Sequence, residues 1–234
     1  MKQEGRSLQS EAWGKIKKNP VAVWSAVLIA AICLVSLLAP WLAPFSFDEQ
    51  FLDKVLIAPG SEHWLGTDSL GRDMLSRLIY GARVSMAVGL VTAFVSLVIG
   101  TLYGSVAGWF GGMVDSGMMR LVDILDSIPS LVLLILVKLV FESYDFIPNP
   151  QLKALTGMLL ALSLVSWVSL ARVVRGQVLQ VKQMAYVEAA RSMGASSVRV
   201  VAQHILPNIV GPVIVLLTFQ IPSNILAESF LSFL

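Results

Sequence analysis

Three polar side chains in an apolar stretch near the C-terminus have the types and spacing that suggest chemistry. Gln220, Asn224 and Glu228 fall at i, i+4 and i+8, so they share one helix face, and Pro222 interrupts the helix between them. Two amides and a carboxyl aligned this way should face protein or water, because hydrocarbon leaves such groups unsatisfied. Two readings stand: they border a translocation path or its outer gate, or they form a buried seam between helices.

Asp123 and Asp126 lie one turn apart just before Pro129. They are expected at the inner end of a span, where water or Arg120 satisfies them, as interfacial anchors rather than a proton relay. Lys138 lies about 26 Å along the same span from Leu121 by helical rise and is expected to snorkel to the outer headgroups. The single cysteine, Cys33, excludes an intramolecular disulfide and reads as a small hydrophobe. No catalytic residue and no metal site is expected. The chain contains no G-x-x-x-x-G-K-[S/T] phosphate loop, so this chain is expected to bind no cofactor and any ATP must bind on a partner.

The elements that carry these residues follow from hydropathy. Of 234 residues 56% are hydrophobic and 14% charged, against about a quarter charged in a soluble domain. Polar residues are too few to cover a folded surface of this size, so lipid must cover it. Val21 to Ala43 is nearly free of charge and long enough for a bilayer core of about 30 Å. Its length and lack of a cleavage site mark an uncleaved signal anchor. Further apolar segments run from Val84 to Ala107, Leu121 to Phe141, Leu155 to Val174 and Ile209 to Leu234, giving five spans.

Basic residues set the orientation. With the N-terminus cytoplasmic, inner segments hold five before Val21, Arg120, and five from Arg172 to Arg199; the outer ones hold Lys54, Arg72, Arg77, Arg83 and Lys153. Residues 1–20 are then a cytoplasmic tail, residues 21–43 the first transmembrane helix, residues 44–83 an extracytoplasmic loop and residues 84–234 the core. Leu75, Leu78, Ile79, Ala82 and Met86 recur at helical spacing within that loop and its edge, predicting an amphipathic helix from Asp73 to Met86 at the outer interface. The chain is still apolar at Leu234, which predicts a sixth span beyond it.

In the second span Thr92, Ser96, Gly100, Gly104 and Gly108 recur every four residues, a small-residue stripe on which another helix backbone packs closely. Packing is the favoured reading over pore lining. Between the fourth and fifth spans, residues 175–208 read as helix, turn, helix. Ala189 and Ala190 favour a helix, Gly194 suits the left-handed residue that closes it, Ser196 caps the next, and Pro207 terminates that one before the membrane. A DNA-binding helix-turn-helix is disfavoured by the tether to spans at both ends and the small positive excess.

Glu188-Ala189-Ala190, Gly194 and Leu206-Pro207 resemble the EAA loop of ABC importer permeases; Tyr186 opens the same stretch. That family's pattern places isoleucine two residues before the leucine, where this chain has His204 followed by Ile205. Leu65 to Ser85 is similar to the segment before the second span of C-type oligopeptide and dipeptide permeases. Ala107-Gly108-Trp109-Phe110-Gly111-Gly112 with Asp115, Ile128-Pro129-Ser130, and Glu228 to Leu234 are further matches, covering most of the chain after the first span.

The resemblance implies an all-α polytopic transmembrane bundle of the type I ABC importer permease fold. It implies one permease half of a bacterial inner-membrane importer, and no enzyme. The expected partners are a B-type permease, two ATPase subunits carrying ATP and Mg, an extracytoplasmic solute-binding protein, a peptide substrate and the lipid bilayer, with no nucleic acid. The loop's short helix is expected to dock on an ATPase, Glu188 meeting a basic residue and Ala189 and Ala190 permitting close approach. Related permeases serve nickel, antimicrobial peptides or glycosides, and outside the family the rival is a secondary transporter or channel.

Overall fold

Asn19-Pro20 and Asn149-Pro150 start two of the long helices by the same device. Each asparagine carboxamide oxygen accepts from the free N–H groups of the first turn, at 3.1 and 3.4 Å for Asn19 and at 2.9 and 3.1 Å for Asn149. The proline that follows is already at a helical φ and lacks an N–H that would go unmet there.

The computed structural model describes Gly14 and residues 16–145 and 147–233. The basic positions Lys2, Arg6 and Lys15 and the terminal Leu234 lie outside the described residues. The helices are α1 (Pro20–Leu37), α2 (Ala39–Leu42), α3 (Met74–Phe110), α4 (Gly112–Ser127), α5 (Ser130–Ser143), α6 (Pro150–Val181), α7 (Ala185–Ser192), α8 (Ser197–Val200) and α9 (Leu206–Phe233). Among the described residues the only β pairing is an isolated bridge between Thr67 and Asp73. The chain divides into two compact units, Met1–Met86 and Ala87–Leu234.

In the first unit α1 exposes Val21, Trp24, Leu28 and Ile29. So much open apolar surface on a helix of 18 residues requires lipid around it. The predicted first span is a helix that breaks at Leu38, ahead of Pro40, with α2 completing it. The loop that follows is folded. The buried His63 ring meets the Asp73 carboxylate at 2.9 Å and packs against the rings of both Phe45 and Phe51. Asp73 in turn accepts from Ser76 N–H at 2.7 Å and caps the first turn of α3. Gly66 and Gly71 have positive φ, and a Cβ on either would strike the carbonyl of Ile57 or Phe51.

The separate interface helix expected from Asp73 to Met86 is not a separate element. α3 runs unbroken for 37 residues, because nothing between Met74 and Phe110 breaks it: there is no proline, and glycine alone does not end a helix held by packing. At about 55 Å it outruns the hydrocarbon core, so part of it lies beyond the membrane.

Among the described residues four helices are long and apolar enough to span, and in the second unit the predicted third span is a bent pair. α4 and α5 meet at 88°. Pro129 lacks an amide hydrogen and forces Ile128 into an extended conformation, φ −87° and ψ 130°, so one straight helix from Leu121 to Phe141 is not formed. A core of Trp109, Leu170, Val174, Val178, Val187, Val200, Ile205 and Ile209 joins the ends of α3, α6 and α9 to the short helices between them.

Candidate functional site

The loop between α6 and α9 is built from its buried face outward. α7 turns Val187 and Ala190 into the core, at 0% and 4% exposure. Tyr186, Glu188 and Ala189 remain exposed on the opposite side. Gly194 adopts φ +84°, and its amide closes α7 on the Arg191 carbonyl at 2.9 Å. Met193 beside it is 82% exposed. The helix, glycine turn and second helix of the sequence are therefore present, with Ala190 facing this chain's own core instead of outward.

Pro207 does not terminate the second helix. α8 passes through a π-helical turn, Val201–Ile205, into α9, so that Ser197–Phe233 is one element of 37 residues. A π turn widens the ring of backbone bonds and accommodates the N–H that Pro207 lacks. Leu206 is half-buried against the same core and Pro207 is exposed. Ser196 stands at the N-cap of α8 without a side-chain bond to it.

The small-residue stripe of α3 is a packing surface. A Cβ on Gly100 would lie 3.0 Å from the Trp167 carbonyl, and on Gly108 2.9 Å from that of Arg175; on Gly104 it would overlap the carbonyl of Ala171. These obstacles are backbone atoms of α6, which cannot swing aside. Ser96, fully buried, donates to the Ser166 carbonyl at 2.9 Å.

The polar triad of α9 meets the same helix. Gln220 donates through Nε2 to Ser96 Oγ at 2.9 Å and to the Ser166 carbonyl. Asn224 donates through Nδ2 to Thr92 Oγ1 at 2.8 Å, whose hydroxyl passes the bond to the Val88 carbonyl at 2.7 Å. Glu228 is buried on the same face. A groove of about 320 Å³ opens beside this seam, lined by Ser166, Ser169, Gln220, Ser223 and Asn224.

Arg172 and Arg175, one turn apart on α6, bind the acids of α4. Arg175 grips Asp115 at 2.6 and 2.5 Å, and Arg172 reaches Asp126 at 2.7 Å and Asp123 at 3.1 Å. Asp123 and Asp126 are thus paired with Arg172 and not with Arg120. The signal was available, since two arginines three residues apart at the end of an apolar run match three acids on one amphipathic helix. Lys138 donates to the Leu231 carbonyl at 2.7 Å instead of reaching for headgroups, because the bend at Pro129 removes the straight rise that would carry it there.

The second unit is an all-helical membrane bundle with a helical loop between two of its spans. The chain belongs to the family of binding-protein-dependent transport system inner membrane components, whose model matches residues 100–234. The model of the N-terminal transmembrane domain of oligopeptide transport permease C matches residues 7–59. The chain is 42% identical over 233 residues to the oligopeptide transport system permease protein of Escherichia coli (strain K12), covering 99% of this chain and 74% of that one. It is 39% identical over 234 residues to the dipeptide transport system permease protein of Bacillus subtilis (strain 168), covering 100% and 70%. A glutathione transport system permease protein of Pectobacterium atrosepticum is 34% identical over 225 residues, covering 96% and 71%. The chain is a multi-pass membrane permease of the ABC importer class, and a transport subunit, not itself an enzyme.

Proposed function

We propose that this chain forms half of the pore of a bacterial inner-membrane importer of oligopeptides or dipeptides, with a B-type permease as the other half. Two ATPase subunits holding ATP and Mg drive it, and an extracytoplasmic binding protein delivers the peptide. The N-terminus lies in the cytoplasm, on the side where Arg172, Arg175, Lys182, Arg191 and Arg199 gather.

The observation that carries the reading is the two-faced α7. Val187 and Ala190 fix it to the ends of α6 and α9, while Glu188 and Ala189 face away from the protein. A helix held so firmly on one side and bare on the other transmits a push without absorbing it. Tyr186, Glu188 and Ala189 meet the ATPase, Gly194 sets the turn, and Leu206 and Pro207 pass the displacement into α9. The groove beside Gln220, Asn224 and Ser223 borders the path, and the glycine stripe holds α3 to α6 as the bundle rocks. The relatives named for oligopeptide and dipeptide transport favour peptide as the substrate class.

Reconstitution of the full-length chain with its natural neighbours, followed by ATPase measurement with and without binding protein and short peptides, tests this. Peptide-stimulated hydrolysis is expected. Stimulation only by another solute overturns the substrate, and failure of any ATPase to associate overturns the coupling.

A further inference from the structure

We propose that the end of α3 and the α7–α8 loop form a binding site for one anionic phospholipid, its phosphate between Lys182 and Arg191 and an acyl chain along α3. Two adjoining depressions make the site. The first is a groove of about 270 Å³ lined by Leu102, Ser105, Val106, Val198 and Val201, almost wholly apolar. The second is a polar pocket of about 340 Å³ that contains Lys182 and Arg191. Trp109, Phe110 and Ser197 wall both, so the depression is continuous from apolar to basic.

Its chemistry matches a lipid from head to tail. Both cations lie over the Trp109 ring at 5.6 Å, and among the described residues neither has a carboxylate within 4.0 Å. Every other arginine or lysine of the α6 end that the structure pairs has its acid: Arg172 and Arg175 take all three from α4. Lys182 also donates to the Trp109 carbonyl at the end of α3. Its remaining ammonium hydrogens and the Arg191 guanidinium, both without an acid among the described residues, attract a phosphate beside an interfacial tryptophan. One turn further along α3, about 6 Å by helical rise, the buried Ser105 hydroxyl has no hydrogen-bond partner, and neither has Thr101 one turn beyond. A serine in a helix ordinarily returns its hydrogen to the preceding turn. Neither the Ser105 nor the Thr101 oxygen reaches the groove surface, so the wall that an acyl chain meets is almost wholly apolar.

The site is independent of what the importer carries. It is tested on the full-length chain purified with its partner subunits in mild detergent, titrated with brominated phosphatidylglycerol or brominated phosphatidylcholine while tryptophan fluorescence is read. The quenching that Trp109→Phe abolishes belongs to this site. Phosphatidylglycerol is expected to bind the more tightly, and each neutralised cation to weaken it about fivefold, so that Lys182→Gln with Arg191→Gln removes roughly 25-fold of the preference. Lys182→Arg with Arg191→Lys, which keeps both charges, retains it. Ala202→Phe, which fills the groove without adding a tryptophan, weakens both lipids alike. Equal binding of the two lipids, or a preference unchanged in the doubly neutralised protein, overturns the proposal. Displacement by inorganic phosphate at millimolar concentration, with Ala202→Phe without effect, shows a free-anion site and overturns it too.

Discussion

Arg175 meets Asp115 as a fork on a carboxylate, with Nε and Nη2 on the two oxygens at 2.6 and 2.5 Å, and so ties α4 to α6. Asp115 is the more buried partner, with 11% of its side chain exposed against 36% for Arg175. Arg175→Leu therefore strands a carboxylate and should cost about 1–3 kcal/mol. Arg175→Leu with Asp115→Leu should cost less than the single change. Thermal unfolding of the four proteins in detergent gives the coupling, and a double variant as unstable as the sum of the singles denies it.

Gly104 and Gly176 are both helical glycines, but a Cβ on Gly104 overlaps the Ala171 carbonyl whereas one on Gly176 meets nothing within 4 Å. Gly104→Ala should lower stability by about 1–3 kcal/mol, the usual consequence of overpacking. Gly176→Ala should raise it slightly, by about 0.5–1 kcal/mol, through helix propensity alone. Equal melting temperatures for the two variants would show that α3 and α6 do not pack as described.

Around Gly194 there is open space, so any penalty for a side chain there comes from φ +84° alone. Gly194→Val should strain α7 by about 1–2 kcal/mol, and Gly194→Asn by much less. In reconstituted vesicles the valine variant should hydrolyse ATP yet import little peptide, with the asparagine variant in between. Undiminished import by the valine protein would remove the turn from the coupling.

Asn224 and Thr92 share a hydrogen bond of 2.8 Å across α9 and α3. Bonds of this kind inside membranes contribute about 0.6–2 kcal/mol, and Asn224→Ala should lose an amount in that range. If the seam only packs, the alanine protein keeps its substrate selectivity while melting earlier. If it also borders the path, competition between peptides changes; an unaltered profile would leave packing alone.

Burial raises the Asp68 pKa, but hydrogen bonds from the Arg72 and Leu70 amides and from the Arg72 guanidinium outweigh it and hold the carboxyl down to about 2. A depressed pKa contributes stability above the unfolded value of 3.8, and that stability fades as the pH falls from there to about 2. The loop around Asp68 should lose protection from amide exchange across that interval. Asp68→Asn should be less stable at neutral pH and equal to the parent at pH 2.

The apolar stretches, the glycine stripe and the turn at Gly194 were legible because each rests on local spacing: hydropathy over about 20 residues, small residues every four, a glycine between helix formers. What the sequence concealed depends on partners distant along the chain. Pro129 and Pro207 look alike as helix breakers. The first bends its helix by 88°, and the second is carried through by a π turn, because only the surrounding core decides whether a broken ladder is repaired. α3 continues past Met86 for the converse reason, since neither Met86 nor its neighbours supply a stop. Arg172 and Arg175 meet acids on α4 that matched charge alone announces, without a local period, and the same bend deprives Lys138 of its straight rise.

The π turn at Val201–Ile205 also sets an angle. Replacing one π turn by α geometry would rotate everything that follows by roughly 100° about the axis. The face that now carries Gln220, Asn224 and Glu228 toward α3 would turn to lipid, while Val200 and Ile205 stayed in their core. The turn thus acts as a phase shifter between two surfaces that must be aimed independently, the loop's packing below and the polar seam above. A one-residue deletion within it, which removes the surplus residue and lets the segment close as α-helix, would preserve both orientations; a deletion a turn further along would sacrifice one of them.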